Sequence, residues 1–138
     1  MITLPWTPGT SPAPGHPVVV MASRLELRRR RDVPAFLVAS LRLRRAFRHA
    51  PGSVGLGLAA QPWSRTFWTL STWASPADLR AYSASPLHRD VMRRFRPAMA
   101  GSTFVEWTSD DDAAPSWDEA RERLAAANYS TPTVRPGS

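Results

Sequence analysis

Few side chains in this chain of 138 residues have types and spacings suited to chemistry. Cysteine is absent, which excludes thiolate metal sites, cysteine nucleophiles and a disulfide framework. The three histidines, His16, His49 and His88, have no metal-ligand spacing to one another or to a nearby carboxylate, so no metal site is expected. His16 stands in a proline-rich stretch and His49 just before Pro51-Gly52. His88 is different: helical spacing sets it beside Val91, Met92 and Phe95, on or near an apolar stripe. An imidazole placed there is a candidate general acid or base, because it titrates near neutral pH. The plainer alternative is a helix-packing histidine satisfied by backbone or solvent. Glu106 and Arg24 complete the candidate catalytic set, Glu106 to orient His88 or act as base, Arg24 to hold a carboxylate or phenolate. Arg24 shares a strand face with Glu26, and a charge on an inner sheet face is costly unless paired. The same residues also read as an interfacial ion pair or an exposed edge.

Aromatic side chains are the second resource. Six tryptophans are present, and Trp63, Trp68, Trp73 and Trp107 fall in or beside one hairpin and the last strand. Trp68 is expected in the core. Phe67, Trp73, Trp107, Trp63 and Tyr82 are the candidate substrate-binding residues, able to line a flat pocket that stacks a conjugated or polycyclic molecule. Core packing is the competing reading for each, and for Tyr82 above all. Trp63, in a turn after Pro62, could also be a rim residue or a dimer contact.

Net charge is +7, all eighteen basic residues are Arg, and the sequence pI is 11.5. Arg28 to Arg31, with Arg42, Arg44, Arg45 and Arg48, could meet phosphate. A loop run plus the outer face of a helix is also an ordinary solvated surface, and no nucleic-acid motif accompanies it. No sequence-specific nucleic-acid binding is expected. Gly55-x-Gly57 has no helix after it and is no phosphate loop, and no serine has a nucleophile-elbow context. The longest apolar run, Val18 to Ala22, is too short to cross a bilayer. With no charged and apolar leader at the N-terminus, a cytoplasmic protein with no membrane partner is expected.

These residues must be positioned by the elements between two breaker-rich ends. Residues 1–16, with Pro5, Pro8, Pro12 and Pro14, predict an irregular arm that Trp6 could anchor. Residues 17–109 predict one domain. Val18–Leu27 reads as a central strand with apolar content on both faces. A helix follows, capped by Asp32 with Pro34 in its first turn and an apolar stripe of Phe36, Leu37, Leu41, Leu43 and Phe47. Val54, Leu56 and Leu58 alternate with Gly55, Gly57 and Ala59, giving a strand with one bulky and one bare face. Thr66–Trp73 is the next strand. Ser75 caps a second helix with Pro76 and Asp78 in place, and Pro86 predicts a break near Ala84-Ser85. Ser102–Trp107 is the last strand. Residues 110–138 hold an acidic link, Asp110 to Asp112, a helix from Trp117 to Ala127 and a Pro/Gly/Ser tail.

The order strand, helix, strand, strand, helix, strand predicts an α+β, ferredoxin-like sandwich with an extra C-terminal helix. The crossover rule sets the first and third of these strands at the centre. Both faces of the third strand are apolar, Trp68 and Leu70 on one side, Phe67 and Trp73 on the other, so the sheet needs a second cover. A homodimer through the open faces is expected to supply it, with Phe67 or Trp73 at or near that interface or the pocket it helps close.

The segment Thr66-Phe67-Trp68-Thr69-Leu70-Ser71-Thr72-Trp73, the capped helix Ser75-Pro76-Ala77-Asp78-Leu79-Arg80-Ala81-Tyr82 and the turn Ser85-Pro86-Leu87-His88-Arg89 with Met92-Arg93-Arg94 resemble the dimeric α/β-barrel superfamily. More narrowly, they resemble a bacterial group beside the antibiotic-biosynthesis monooxygenases and spheroidene monooxygenase. The resemblance covers about residues 17 to 108. It implies a homodimer and a small-molecule enzyme of secondary metabolism, monooxygenase-like, acting on an apolar polycyclic or conjugated substrate. The same superfamily includes cyclases, isomerases and ligand-binding proteins, so a non-redox cyclase or isomerase using His88, or a non-catalytic binding dimer, is the alternative. No cofactor is expected. Haem is the one possibility the resemblance raises, with His88 as axial ligand, although the haem-degrading relatives carry their ligand about one turn later, where Met92 stands.

Overall fold

The computed structural model describes residues 1–10, 17–110 and 115–130, the last three as helix backbone only. His16, Asp111, Asp112 and the tail from Thr131 lie outside the described residues. The elements are β1 (Ile2–Thr3), β2 (Thr7–Pro8), β3 (Val18–Leu27), α1 (Val33–Phe47), β4 (Ser53–Gln61), β5 (Thr66–Trp73), α2 (Pro76–Ser83), α3 (Pro86–Phe95), β6 (Met99–Ser109) and α4 (Trp117–Ser130). The strands form one antiparallel sheet in the order β1-β4-β5-β3-β6, with β2 also on β4. β3 and β5 are therefore the inner strands, as the crossover rule requires, and the fold is the ferredoxin-like α+β sandwich with a C-terminal helix.

Local sequence explains the boundaries. Ser75 accepts a hydrogen bond from the Asp78 amide at 3.2 Å, and Ser85 accepts from the His88 amide at 3.5 Å. Pro76 and Pro86 occupy first turns, where a missing N–H costs nothing. Pro86 thus divides the second helical region into α2 and α3 at Ala84-Ser85. Asp32 precedes α1 but its side chain makes no capping bond; a short 3-10 turn, Arg30–Asp32, leads the chain in instead. The buried positions of α1 are Val33, Phe36, Ala39 and Phe47, whereas Leu37 and Leu41 of the expected stripe are exposed.

The N-terminal arm is more ordered than its proline content predicts. Its two short strands add to the outer edge of β4, where proline is tolerated. The Leu4 amide donates to the Leu58 carbonyl at 2.9 Å and the Gly9 amide to the Val54 carbonyl at 3.0 Å. Trp6 does anchor it. Its indole lies so close over Gly55 that a Cβ there would overlap the ring, which is why one face of β4 is bare.

Strand alternation sorts the core into two layers. Under α1, α2 and α3 lie Val19, Leu25, Leu27, Leu56, Phe67 and Trp73. The opposite face carries Val18, Val20, Ala22, Ala59, Trp68 and Leu70. This second face is covered by the chain's own α4, through Ala120, Leu124 and Trp117, with Trp6 and Trp107 beside them. Two expectations change. Phe67 and Trp73, at 4% and 0% exposure, face the helices and not an open face. The uncovered apolar face that motivated a homodimer is occupied by α4.

Candidate functional site

A cavity of about 110 Å³ lies between the sheet and the three-helix layer. Its floor comes from β3, β4 and β5, including Ser23, Leu58 and Trp73, and its roof from α1, α2 and α3. Phe104 of β6, 48% exposed, stands at its margin. A second cavity of about 270 Å³ adjoins it, with Phe36, Ser40, Leu58 and Thr69 common to both walls. Small-molecule sites usually measure roughly 300–1,000 Å³, so a ligand of that size has to span both spaces.

His88 lines the first cavity. The capped start of α3 sets its backbone, and its ring meets Tyr82 edge-on at 5.3 Å between centroids. Tyr82 in turn lies 5.2 Å from Trp73 and 6.0 Å from Phe47. This aromatic backing fixes the imidazole in a mostly apolar setting. Its Nδ1 is buried and has no hydrogen-bond partner. Burial lowers the His88 pKa below the ordinary 6.5, with hydrogen bonding to the Ser83 backbone acting more weakly the other way. The ring is therefore neutral at neutral pH, and a neutral imidazole keeps one nitrogen able to accept a proton.

The other candidates are not gathered around it. Arg24 lies on the α4 face of β3, so the sheet separates it from His88; it pairs with Glu26 at 3.6 Å, both side chains partly exposed. Glu106 is opposite Met21, on the helix-layer side of the edge strand, but it is exposed and does not line the cavity. The expected cluster of His88, Glu106 and Arg24 is not formed, because alternation along β3 and β6 sends these side chains to different places. Trp73 and Tyr82 do line the cavity, and both are hydrogen-bonded: the Trp73 indole donates to Ser71 Oγ at 3.0 Å, and the Tyr82 hydroxyl donates to the Leu43 carbonyl at 2.9 Å. Burial drives the Tyr82 pKa far upward, so its proton stays in place. Phe67 lines the second cavity, its ring tilted against that of Phe36 at 4.8 Å between centroids. Trp107 is on the α4 face under Arg123, whose guanidinium carbon is 4.5 Å from the ring centroid. Trp63 is 60% exposed in the turn after β4.

One cavity residue escaped the sequence reading. Arg44 was grouped with the outward arginines of α1, yet it lines the cavity and its Nε donates to Thr7 Oγ1 at 2.7 Å. Its signal was spacing: positions 36, 40, 43, 44 and 47 share one side of a helix. Among the described residues, no group of three His, Cys, Asp or Glu could hold a metal, and no helix is long and apolar enough to cross a membrane.

With the geometry established, the chain can be compared with known proteins. Residues 43–135 match the family described as a domain of unknown function, DUF3291, and the chain belongs to that family. A comparison with curated proteins finds no match. Among solved structures, a candidate antibiotic biosynthesis monooxygenase from Caulobacter crescentus CB15 aligns at TM-score 0.58 and 17% identity, over 70% of this chain and 92% of that one. A dimeric ferredoxin-like protein of unknown function from Thermobifida fusca YX aligns at TM-score 0.57 and 16% identity, over 68% and 92%. A candidate monooxygenase from Lactobacillus acidophilus NCFM aligns at TM-score 0.59 and 12% identity, over 72% of this chain but 47% of that one, so this chain spans about half its length. Such likenesses show the fold: it is that of the antibiotic-biosynthesis-monooxygenase-like ferredoxin-fold proteins.

Proposed function

We propose that the protein is a small-molecule enzyme, monooxygenase-like, that draws an apolar conjugated substrate into the space under α1, α2 and α3 and uses His88 as its base. The observation that carries this reading is the half-buried imidazole of His88 on the wall of a largely apolar cavity. The imidazole takes a proton from an acidic O–H or C–H of the substrate. The electron-rich anion then reduces dioxygen. One oxygen atom enters the substrate as a carbonyl in place of two hydrogens, and the other leaves as water carrying those two hydrogens. The electrons come from the substrate, so the balance needs no external reductant. The likeness to candidate monooxygenases supports this reading, and a place in secondary metabolism goes with it.

The reading involves no haem: the wall beside His88 is formed by packed core side chains such as Trp73, and Met92 stands where the haem-degrading relatives carry their ligand. A homodimer is retained from the likeness to the dimeric Thermobifida fusca protein, but one formed through the sheet face needs α4 to move aside or to lie within the interface. Sedimentation showing a stable monomer at micromolar concentration would remove it.

Oxygen uptake with a panel of polycyclic phenols and enolisable ketones tests the chemistry. Uptake with one labelled oxygen atom from ¹⁸O₂ in the product is expected. Substrate conversion without oxygen uptake moves the protein to the non-redox cyclase or isomerase reading, in which the same base returns its proton. Binding without conversion leaves a ligand-binding protein.

A further inference from the structure

We infer that Arg44 is the anion-recognition residue of this cavity, and that its occupant is an apolar molecule carrying one acidic group, a carboxylate or an ionised phenol or enol. The inference rests on the cavity being a ligand site, as proposed above, and not on the oxygen chemistry. Three observations support it. The cavity wall holds one full cation, Arg44, and no Asp or Glu. Three arginines pair with carboxylates, Arg24 with Glu26, Arg93 with Asp90 and Arg123 with Glu119, and the unpaired ones other than Arg44 do not line this cavity. Arg44 has no such partner among the described residues; its one bond uses Nε and the hydroxyl of the buried Thr7.

That arrangement has a chemical meaning. Binding Nε to β2 fixes the plane of the guanidinium and leaves the two terminal amino groups for something else. Those groups form a fork that matches a carboxylate or another planar anion. A half-buried cation in an apolar lining with no counter-charge favours an anionic ligand over its neutral isostere. The hydroxyls of Ser23, Ser40 and Thr69 on the same wall are committed locally, Ser23 to Thr69 and Ser40 to the Phe36 carbonyl, and none carries charge. An apolar body fits the rest of the lining, and only Arg44 selects the sign of its polar end.

A matched pair of probes tests this directly: 1-anilinonaphthalene-8-sulfonate, and N-phenyl-1-naphthylamine, the same ring system without the sulfonate. Both are titrated into the full chain by fluorescence, and the site is located from the indole N–H signal of Trp73 by NMR. Wild type should bind the sulfonate about tenfold tighter or more, the size expected of a hydrogen-bonded charge. Arg44→Gln should lose that preference while binding the neutral probe as before. Arg45→Gln, an exposed neighbour, should retain it. Equal wild-type affinity for the two probes, preference surviving in Arg44→Gln, or preference lost in Arg45→Gln would each overturn the inference. If the neutral probe binds and shifts Trp73 without an anion preference, the inference fails and the ligand site stands. If neither probe moves Trp73, both fail. The wild-type comparison suffices on its own should Arg44→Gln not fold.

Discussion

The sheet face under α4 and the face under α1, α2 and α3 are built from alternate residues of the same strands, yet they are finished differently. Under α4 the centre is packed, and the open space on that side is a cleft of about 440 Å³ beside Arg24, Gln61 and Arg121. Trp6 and Trp117 lie over Gly55 and Gly57, Trp68 and Trp107 flank them, and Ala120 and Leu124 seal the middle. Under the helix layer, large aromatics also pack, but they leave a cavity whose wall carries an imidazole, a guanidinium and several hydroxyls. The hollow face is the one proposed to hold the site. Filling one face makes the sheet rigid, and the hollow on the other face, backed by that rigid sheet, can hold polar groups in fixed positions. The α4 face shows how a ferredoxin-like unit can cover its apolar sheet face with its own chain.

The comparison can be broken from either side. Trp73→Ala should have the largest effect, about 3–5 kcal/mol of lost stability, because a fully buried ring packed on Phe47 and Tyr82 leaves a void. Chemical denaturation checks it, and a loss below about 1 kcal/mol would mean that the helix layer collapses easily. Leu124→Ala should cost about 2–5 kcal/mol if α4 is a true part of the core. A near-neutral result would mean that α4 only rests on the sheet. Gly55→Ala should cost about 1–3 kcal/mol by overpacking against Trp6 and should loosen the arm, read out as faster proteolysis near its start.

The smallest effect is a pH dependence. His88 has a folded pKa below its unfolded 6.5, so the unfolded chain binds more protons between those two values. Stability should therefore fall as pH drops through 6.5, down to the folded pKa, and be unaffected by His88 above that range. Thermal melts of wild type and His88→Gln across this interval should show a steeper fall for wild type. Parallel curves would mean that His88 is solvated.

Much of this architecture was legible because punctuation is local. Pro76 starts α2 and Pro86 breaks the helical region at Ala84-Ser85, both as expected, Pro34 lies in the first turn of α1, and Ser75 caps as its type suggests. Trp68 was readable as core. The grouping of the site was not. Val18, Val19 and Val20 are buried on both faces, so the sequence of β3 carries no sign of which parity lies under the helices. Without that sign, Arg24 could be drawn beside His88 when the sheet stands between them. The role of α4 was hidden for a related reason: its apolar surface is the narrow strip of Trp117, Ala120 and Leu124, which reads as a polar surface helix until its seat on the sheet is seen. Arg44 was obscured by composition, since it stands among arginines that do face solvent.

The central claim is that His88, on the hollow face, does the proton work. It is tested most directly by the turnover of His88→Asn, with the thermal transition measured to confirm the fold. Asparagine keeps a hydrogen-bonding group and removes the titration. The account predicts a loss of about 10²- to 10⁴-fold in kcat with the fold intact. Turnover within about threefold of wild type, well short of that range, would contradict it and return His88 to a packing role.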